Sequence, residues 1–195
     1  RICVVACGTA MHAGLVAQAL VKSIVHVQMD VELASEFMYS NPVIDEKTLV
    51  IAVSQSGETI DTLEALKYAK RQGAKCIVNV VGSSIARESD YVLYTAAGPE
   101  IAVASTKAYT TQLSVFYLVV AKMALLRGVY TEEQTKSFIA ELERVPEVMQ
   151  KVLEKRRAAP CSSRAGTWRE MRWTCSMTER TFAPSPTLGW TPKTP

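Results

Sequence analysis

Short apolar runs alternate with amphipathic segments over the first two thirds of the chain. Runs rich in β-branched residues predict buried strands, and apolar residues spaced three and four apart predict helices. The predicted strands are Ile2–Cys7, Val27–Leu33, Leu49–Val53, Lys75–Val80 and Tyr91–Tyr94. The predicted helical segments are Met11–Val25, a turn at Ser35–Tyr39, Asp61–Gln72 capped by Gly73, Ser105–Leu126, and Thr131–Glu154 with a kink or restart near Pro146.

This alternation of strands and helices predicts an α/β fold. Strands that are apolar on both faces are typical of a parallel sheet covered by helices on each side. We therefore expect a three-layer sandwich with a five-stranded, mostly parallel sheet of the flavodoxin or Rossmann type. Ligands in such folds bind outside the carboxyl ends of the strands, so the turns that follow the first and third strands are candidate binding segments.

The turn after the third strand, Ser54–Thr59, has the sequence Ser-Gln-Ser-Gly-Glu-Thr. Backbone N–H groups at a helix N-terminus attract anions, and three hydroxyls and the Gln55 amide add further donors. One hydroxyl would suffice for an ordinary N-cap. No Walker or G-x-G-x-x-G pattern is present, which disfavours nucleotides. The turn therefore predicts a site for a small ligand that carries one phosphate.

Two other segments are expected at the same edge of the sheet. Cys7-Gly8-Thr9-Ala10 ends the first strand, and the first and third strands can be neighbours in a doubly wound sheet. Ser105 or Thr106 is expected to cap the long helix that follows Val103. Lys107 lies in the first turn of this helix, where a positive charge is unfavourable because of the helix dipole. Two interpretations stay open: a solvated lysine, or a lysine that contacts an anion or an acidic partner.

Composition restricts the possible functions. The net charge of +3 over 195 residues is too small to argue for nucleic acid. The five cysteines include no C-x-x-C pair and there are two histidines, so neither a metal nor a cofactor is expected. The odd cysteine count favours the cytoplasm. The apolar run Leu113–Leu126 is broken by Lys122, so no membrane span is expected.

No positioned acid–base pair stands out in residues 1–155. Cys7 is a poor nucleophile candidate because His12 is the one base near it, and His26, between valines, is expected to be structural. Acid–base catalysis needs a positioned proton donor or acceptor. We therefore expect a chain that binds a ligand without transforming it, and its start inside a strand is typical of a fragment.

The last forty residues, 156–195, differ from the rest. They hold all three tryptophans, five of the eight prolines and a net charge of +5, without sustained periodicity. We interpret 1–155 as one domain and 156–195 as an aberrant, disordered tail. Out-of-frame translation or a wrongly predicted exon could produce such a tail.

Several motifs, in order, resemble the first sugar isomerase domain of the glutamine–fructose-6-phosphate aminotransferase family over residues 1–155. They are Cys7-Gly8-Thr9, Val31–Phe37, Ser54–Thr59 with Asp61-Thr62-Leu63, Gly82-Ser83-Ser84, Arg87–Asp90, Ala97–Ile101 and Val103–Tyr109.

The resemblance implies a sugar-phosphate site made of Thr9, Ala10, Ser54, Gln55, Ser56, Thr59 and Ser105, with Val103 and Lys107 less firmly placed. Ala10 stands where the family usually has serine, which removes one hydroxyl. The family makes glucosamine 6-phosphate from fructose 6-phosphate and glutamine. Its glutaminase domain and second isomerase domain, which holds the acid–base residues, have no counterpart in this chain, so none of its residues is assigned a catalytic role. Pairing of isomerase domains implies a homodimer.

Two other functions fit a domain of this kind. A sugar-phosphate-sensing regulator would carry a DNA-binding or partner-binding segment, and the aperiodic basic tail does not resemble one. A small single-domain sugar-phosphate isomerase would need its own base. The match through Ala97–Tyr109 favours the aminotransferase family over both.

Overall fold

The computed structural model describes residues 1–80, 84–98 and 105–158. Within these ranges five strands alternate with six helices. The strands are β1 (Ile2–Ala6), β2 (Met29–Leu33), β3 (Leu49–Val53), β4 (Lys75–Val80) and β5 (Tyr91–Tyr94). The helices are α1 (Gly8–Leu20, continued by a π-helical turn at Val21–Val25), α2 (Ala34–Phe37), α3 (Ile60–Arg71), α4 (Ser84–Glu88), α5 (Lys107–Leu126) and α6 (Glu132–Ala158).

The five strands form one sheet in the order β2-β1-β3-β4-β5, and all four strand pairs are parallel. This is the flavodoxin-like order. Strand β2 lies on one side of β1, and β3, β4 and β5 follow on the other side, so the strand order reverses between β1 and β3. Ala6 pairs with Val53, so β1 and β3 end side by side. The segments after both strands therefore start at neighbouring points on one edge of the sheet, as the sequence predicts.

Side chains of β1 alternate between two cores, one on each face of the sheet. Ile2, Val4 and Ala6 pack in the core that contains α1 and α5, whereas Cys3 and Val5 pack in the core that contains α2, α3 and α4. This period of two, with both faces covered by helices, is what a three-layer α/β sandwich requires. The predicted fold class is confirmed.

Helix α1 lies unusually close to the sheet at Gly14. A Cβ atom at this position would lie 2.9 Å from Val4 Cγ1 and 3.2 Å from Val31 Cγ1. Glycine therefore lets α1 approach β1 and β2 and fixes the height of its N-terminal residues above the sheet edge.

Several predicted boundaries differ from the structure, most of them by one or two residues. Helix α1 begins at Gly8, which has a φ of +59°, rather than at Met11. Helix α6 neither stops nor restarts at Pro146. Its surroundings are exposed, so solvent can hydrogen-bond the Leu142 carbonyl that the missing proline N–H leaves unpaired. The helix also runs to Ala158, beyond the predicted domain end at 155; the rest of the predicted tail lies outside the described residues.

The chain divides into two compact units, Arg1–Lys151 and Val152–Pro195. The first holds the sheet and its covering helices. Of the second, the structure describes the end of α6. The interpretation of the tail as aberrant and disordered stays a prediction.

Helix α5 is the one described helix with the length and composition to cross a membrane, with a mean hydropathy of 1.3. Its buried side, which includes Phe116, Val120 and Ala124, packs in the same core as α1. That packing accounts for the apolar residues on this side of the helix. The helix includes Lys122 and still passes this test of length and composition, so the expectation of no membrane span stays a prediction.

Candidate functional site

A cleft of about 280 Å³ opens at the carboxyl ends of β1 and β3. It is lined by residues at the ends of these strands and at or near the starts of α1, α3 and α5. The lining residues are Cys7, Gly8, Thr9, Ala10, Val53, Ser54, Gln55, Ser56, Thr59, Thr62, Ser105 and Gln112.

The Ser54–Thr59 turn is held in shape by its own hydroxyls. Ser54 Oγ accepts a hydrogen bond from the Gly57 N–H at 3.0 Å and shares another with Thr59 Oγ1 at 3.2 Å. Ser56 Oγ accepts from the Glu58 N–H at 3.2 Å. Gly57 has a φ of +65°, a conformation that glycine adopts without strain. The sequence thus builds a tight turn between β3 and α3 that presents hydroxyls to the cleft.

None of the helix starts at the cleft is capped by a side chain. The N-cap residues of α1, α3 and α5 are Cys7, Thr59 and Thr106, and none of them makes a side-chain capping hydrogen bond. The N–H groups in the first turn of a helix have no intrahelical partners and carry a partial positive charge. The hydroxyl-rich turn is therefore not explained by ordinary capping, and the cleft favours an anion without any lining lysine or arginine among the described residues.

Glu58 links the turn to α4. Its Oε1 accepts a hydrogen bond from the Ser84 N–H at 2.9 Å, and the Ile85 N–H donates to the Gly57 carbonyl at 3.2 Å. Hydrogen bonds from the Ser84 backbone and side chain keep the pKa of Glu58 below its usual range. The only carboxylate of the turn is thus ionised and anchors α4, which does not suit it to act as a base in the cleft.

The cleft brings together most of the residues expected from the sequence. Thr9, Ala10, Ser54, Gln55, Ser56, Thr59 and Ser105 all line it. Lys107 is exposed and is not among the lining residues, and Val103 lies outside the described residues.

Of the five lining residues that were not predicted as ligand contacts, two are polar residues within helices, Thr62 and Gln112. Each is a polar residue in the buried stripe of its helix, with Ala65, Leu66 and Ala69 following Thr62 in α3 and Phe116 following Gln112 in α5. A polar side chain inside an apolar helical stripe is a signal that the sequence already contains.

The cysteines differ in their surroundings. Cys3 and Cys76 are buried, as the sequence predicts, and desolvation raises their pKa to about 12 and about 11 respectively. Cys7 is half-buried and lines the cleft. Because the thiolate is the reactive form, the two buried thiols are inert near neutral pH.

We expect N-ethylmaleimide at pH 7.5 to modify Cys7 at least about tenfold faster than Cys3 or Cys76, since Cys7 is half-buried at the cleft whereas Cys3 and Cys76 are buried and have raised pKa values. Peptide mass spectrometry over time measures each rate, with the urea-unfolded chain as the control in which the three rates converge. Equal rates in the folded chain would contradict this description of the cleft and core.

Comparison with known proteins identifies the family to which the chain belongs. The SIS domain family matches residues 1–122. The chain belongs to the SIS domain family. The domain is 51% identical over 158 residues to the glutamine–fructose-6-phosphate aminotransferase of Caldanaerobacter subterraneus subsp. tengcongensis and 49% identical over 155 residues to that of Streptomyces coelicolor. These matches cover 80% and 78% of this chain but 26% and 25% of the relatives, so the chain spans about a quarter of their length.

Solved structures resemble this SIS domain as well. The C-terminal domain of the glucosamine–fructose-6-phosphate aminotransferase of Francisella tularensis is 41% identical, with a TM-score of 0.73 over 78% of this chain and 44% of that one. A glucosamine-6-phosphate deaminase of Thermotoga maritima is 22% identical, with a TM-score of 0.62 over 79% of this chain and 48% of that one, and shows the fold alone.

Proposed function

We propose that this SIS domain binds the phosphate group of a hexose 6-phosphate at the Ser54–Thr59 turn. It would act as the first isomerase domain of an enzyme that makes glucosamine 6-phosphate from fructose 6-phosphate and glutamine. The observation that carries the proposal is the convergence of the Ser54, Ser56 and Thr59 hydroxyls with three helix starts that lack side-chain caps, at one cleft. The similarity to aminotransferases supports the choice of sugar phosphate over other anions.

Each side chain has a distinct role in this proposal. Ser54, which is 4% exposed, shapes the turn through its bonds to Gly57 and Thr59. Ser56 is exposed at the cleft and donates to a phosphate oxygen. When Ser54 donates to Thr59, the Thr59 hydroxyl hydrogen is left for the ligand.

Other segments complete the binding site. Thr9 and Ser105 extend the donor set across the cleft, whereas Ala10 contributes its backbone.

We propose that this cleft binds the sugar phosphate and that the chemical conversion takes place elsewhere. No aspartate, glutamate, histidine or lysine is among its described lining residues, and sugar isomerisation and amination require positioned proton transfer. In the proposed complete enzyme, a glutaminase domain supplies ammonia and a second isomerase domain supplies the acid–base groups. The proposal also includes pairing of this domain with a second copy of itself. It further includes a cytoplasmic location, which agrees with the buried, free thiols of Cys3 and Cys76.

We expect the 195-residue chain to bind fructose 6-phosphate and glucose 6-phosphate saturably and to form no glucosamine 6-phosphate from fructose 6-phosphate with glutamine or ammonia. Calorimetry measures binding, and mass spectrometry measures product. Unphosphorylated fructose and glucose are the matched control ligands, and we expect neither to bind at the same concentrations, because the phosphate supplies the charge-assisted hydrogen bonds. A folded chain that binds the free sugars equally well would contradict the phosphate site, and turnover would contradict the absence of a base.

A further inference from the structure

Two residues that line the cleft each carry a buried polar atom without a partner among the described residues. Thr62 is 0% exposed and Gln112 is 2% exposed, yet Thr62 Oγ1 and Gln112 Oε1 make no hydrogen bond within the described part of the chain. Both residues line the cleft. Burying such an atom without a partner costs free energy that a valine or a methionine in its place would not cost.

Two buried polar side chains away from the cleft are paired. Thr48 Oγ1 donates to Asp45 Oδ1 at 2.7 Å, and Thr135 Oγ1 donates to the Thr131 carbonyl at 2.9 Å. These two hydroxyls are thus satisfied by the fold itself, whereas the two unpartnered atoms found among the described residues both belong to residues that line one cleft. An arrangement of this kind is expected where a ligand supplies the missing hydrogen bonds.

The chemistry of the two atoms restricts what the ligand presents to them. An amide oxygen only accepts hydrogen bonds, so Gln112 Oε1 needs a donor, whereas a threonine hydroxyl can donate or accept. A phosphate monoester is largely dianionic at neutral pH, because its second pKa is about 6, and offers mainly acceptors. A sugar hydroxyl offers both a donor and an acceptor.

The cleft has room for more than a phosphate group. Its volume of about 280 Å³ corresponds to roughly nine water molecules at ~30 Å³ each. With the phosphate at the Ser54–Thr59 turn, space remains along the cleft for part of a sugar.

We propose that Thr62 and Gln112 bind a hydroxyl group of the sugar phosphate and so determine which phosphorylated ligands the cleft accepts. This inference rests on the proposed function, since it assumes a sugar phosphate in the cleft. It divides the site into a phosphate-binding turn and a hydroxyl-binding wall, formed by Thr62 from α3 and Gln112 from α5.

The test compares glucose 6-phosphate with inorganic phosphate, both titrated into the full chain and followed by NMR. Thr62→Val and Gln112→Met remove the polar atoms and keep the approximate shape. We expect each substitution to weaken glucose 6-phosphate about 3- to 10-fold and to change the affinity for inorganic phosphate less than twofold, since one neutral hydrogen bond to the hydroxyl is lost. The melting temperature without ligand should stay the same or rise, because a buried unpaired atom is removed.

Two matched controls separate ligand contact from general damage. Thr135→Val removes a paired helical hydroxyl, and Gln18→Met removes an amide whose Nε2 donates to the Met29 carbonyl at 2.7 Å. Neither residue lines the cleft. We expect both controls to leave the two affinities unchanged and to leave the melting temperature unchanged or lower.

The outcomes distinguish this inference from the function on which it rests. Wild-type chain that binds neither ligand would overturn the proposed function and the hydroxyl-binding wall together. Wild-type binding that Thr62→Val and Gln112→Met leave unaltered would overturn the wall alone. Equal weakening of inorganic phosphate and glucose 6-phosphate would also overturn it, because the two side chains would then act on the phosphate.

Discussion

Replacing Ser56 with Asp is expected to lower the affinity for hexose 6-phosphates by about 100-fold or more. A carboxylate about 5 Å from a phosphate would repel it by roughly 3 kcal/mol per pair of unit charges at an effective dielectric constant of 20. Ser56 is exposed and its one described hydrogen bond is accepted from the Glu58 N–H, a role that an aspartate can also fill. The melting temperature should therefore change by no more than about 2 °C.

Ser56→Asn is the matched control, since asparagine and aspartate differ little in shape and differ by one charge. We expect it to weaken binding about tenfold, by loss of a hydroxyl donor to an anion and an altered fit. Calorimetry with fructose 6-phosphate measures both variants. Equal affinities for the aspartate and asparagine variants would show that no anion lies near Ser56, and the phosphate site would have to be moved elsewhere.

Replacing Gly14 with Val is expected to lower the melting temperature by about 4–10 °C. A Cβ atom alone would lie 2.9 Å from Val4 Cγ1, and the two methyl groups of valine add further overlap, at a cost of roughly 1–3 kcal/mol. Because α1 carries Gly8, Thr9 and Ala10 at its start, a displaced α1 also changes the cleft. Affinity for fructose 6-phosphate should fall along with stability.

Ala19→Val is the control for this experiment, because Ala19 lies on the same helix but is exposed. It introduces the same side chain at an exposed site, so the expected loss of stability is the difference in helix propensity between alanine and valine, about 0.5 kcal/mol. Binding should stay unchanged. Thermal melts and calorimetry on the two variants provide the comparison. A Gly14→Val chain as stable as Ala19→Val would mean that α1 does not pack against β1 and β2 as closely as described.

Much of the fold could be predicted because its signals are local. The strands Leu49–Val53, Lys75–Val80 and Tyr91–Tyr94 agree with the prediction at both ends, since β-branched runs between polar turns define them. The position of the cleft followed from a rule of topology, namely that ligands bind at the carboxyl ends of parallel strands where the strand order reverses.

Other features could not be predicted from local sequence signals. Helix α1 starts at Gly8 directly after the strand, and this residue has a φ of +59°, whereas glycine in a sequence indicates a break without saying where the next helix starts. Continuation of α6 through Pro146 depends on exposure of the local backbone to solvent. Gln112 stands out in the sequence as a polar residue in an apolar stripe, but its position at the cleft depends on the packing of α5 near the Ser54–Thr59 turn, more than fifty positions earlier in the chain.

The central claim is that the Ser54–Thr59 turn holds the phosphate of a hexose 6-phosphate, and a crystal structure of this chain with fructose 6-phosphate tests it most directly. We predict phosphate oxygens within about 2.7–3.2 Å of the Ser56 and Thr59 side-chain oxygens and of backbone nitrogens at the start of α3, with the sugar extending along the cleft. A ligand bound outside the cleft, or one bound in it with the phosphate away from this turn, would contradict the account.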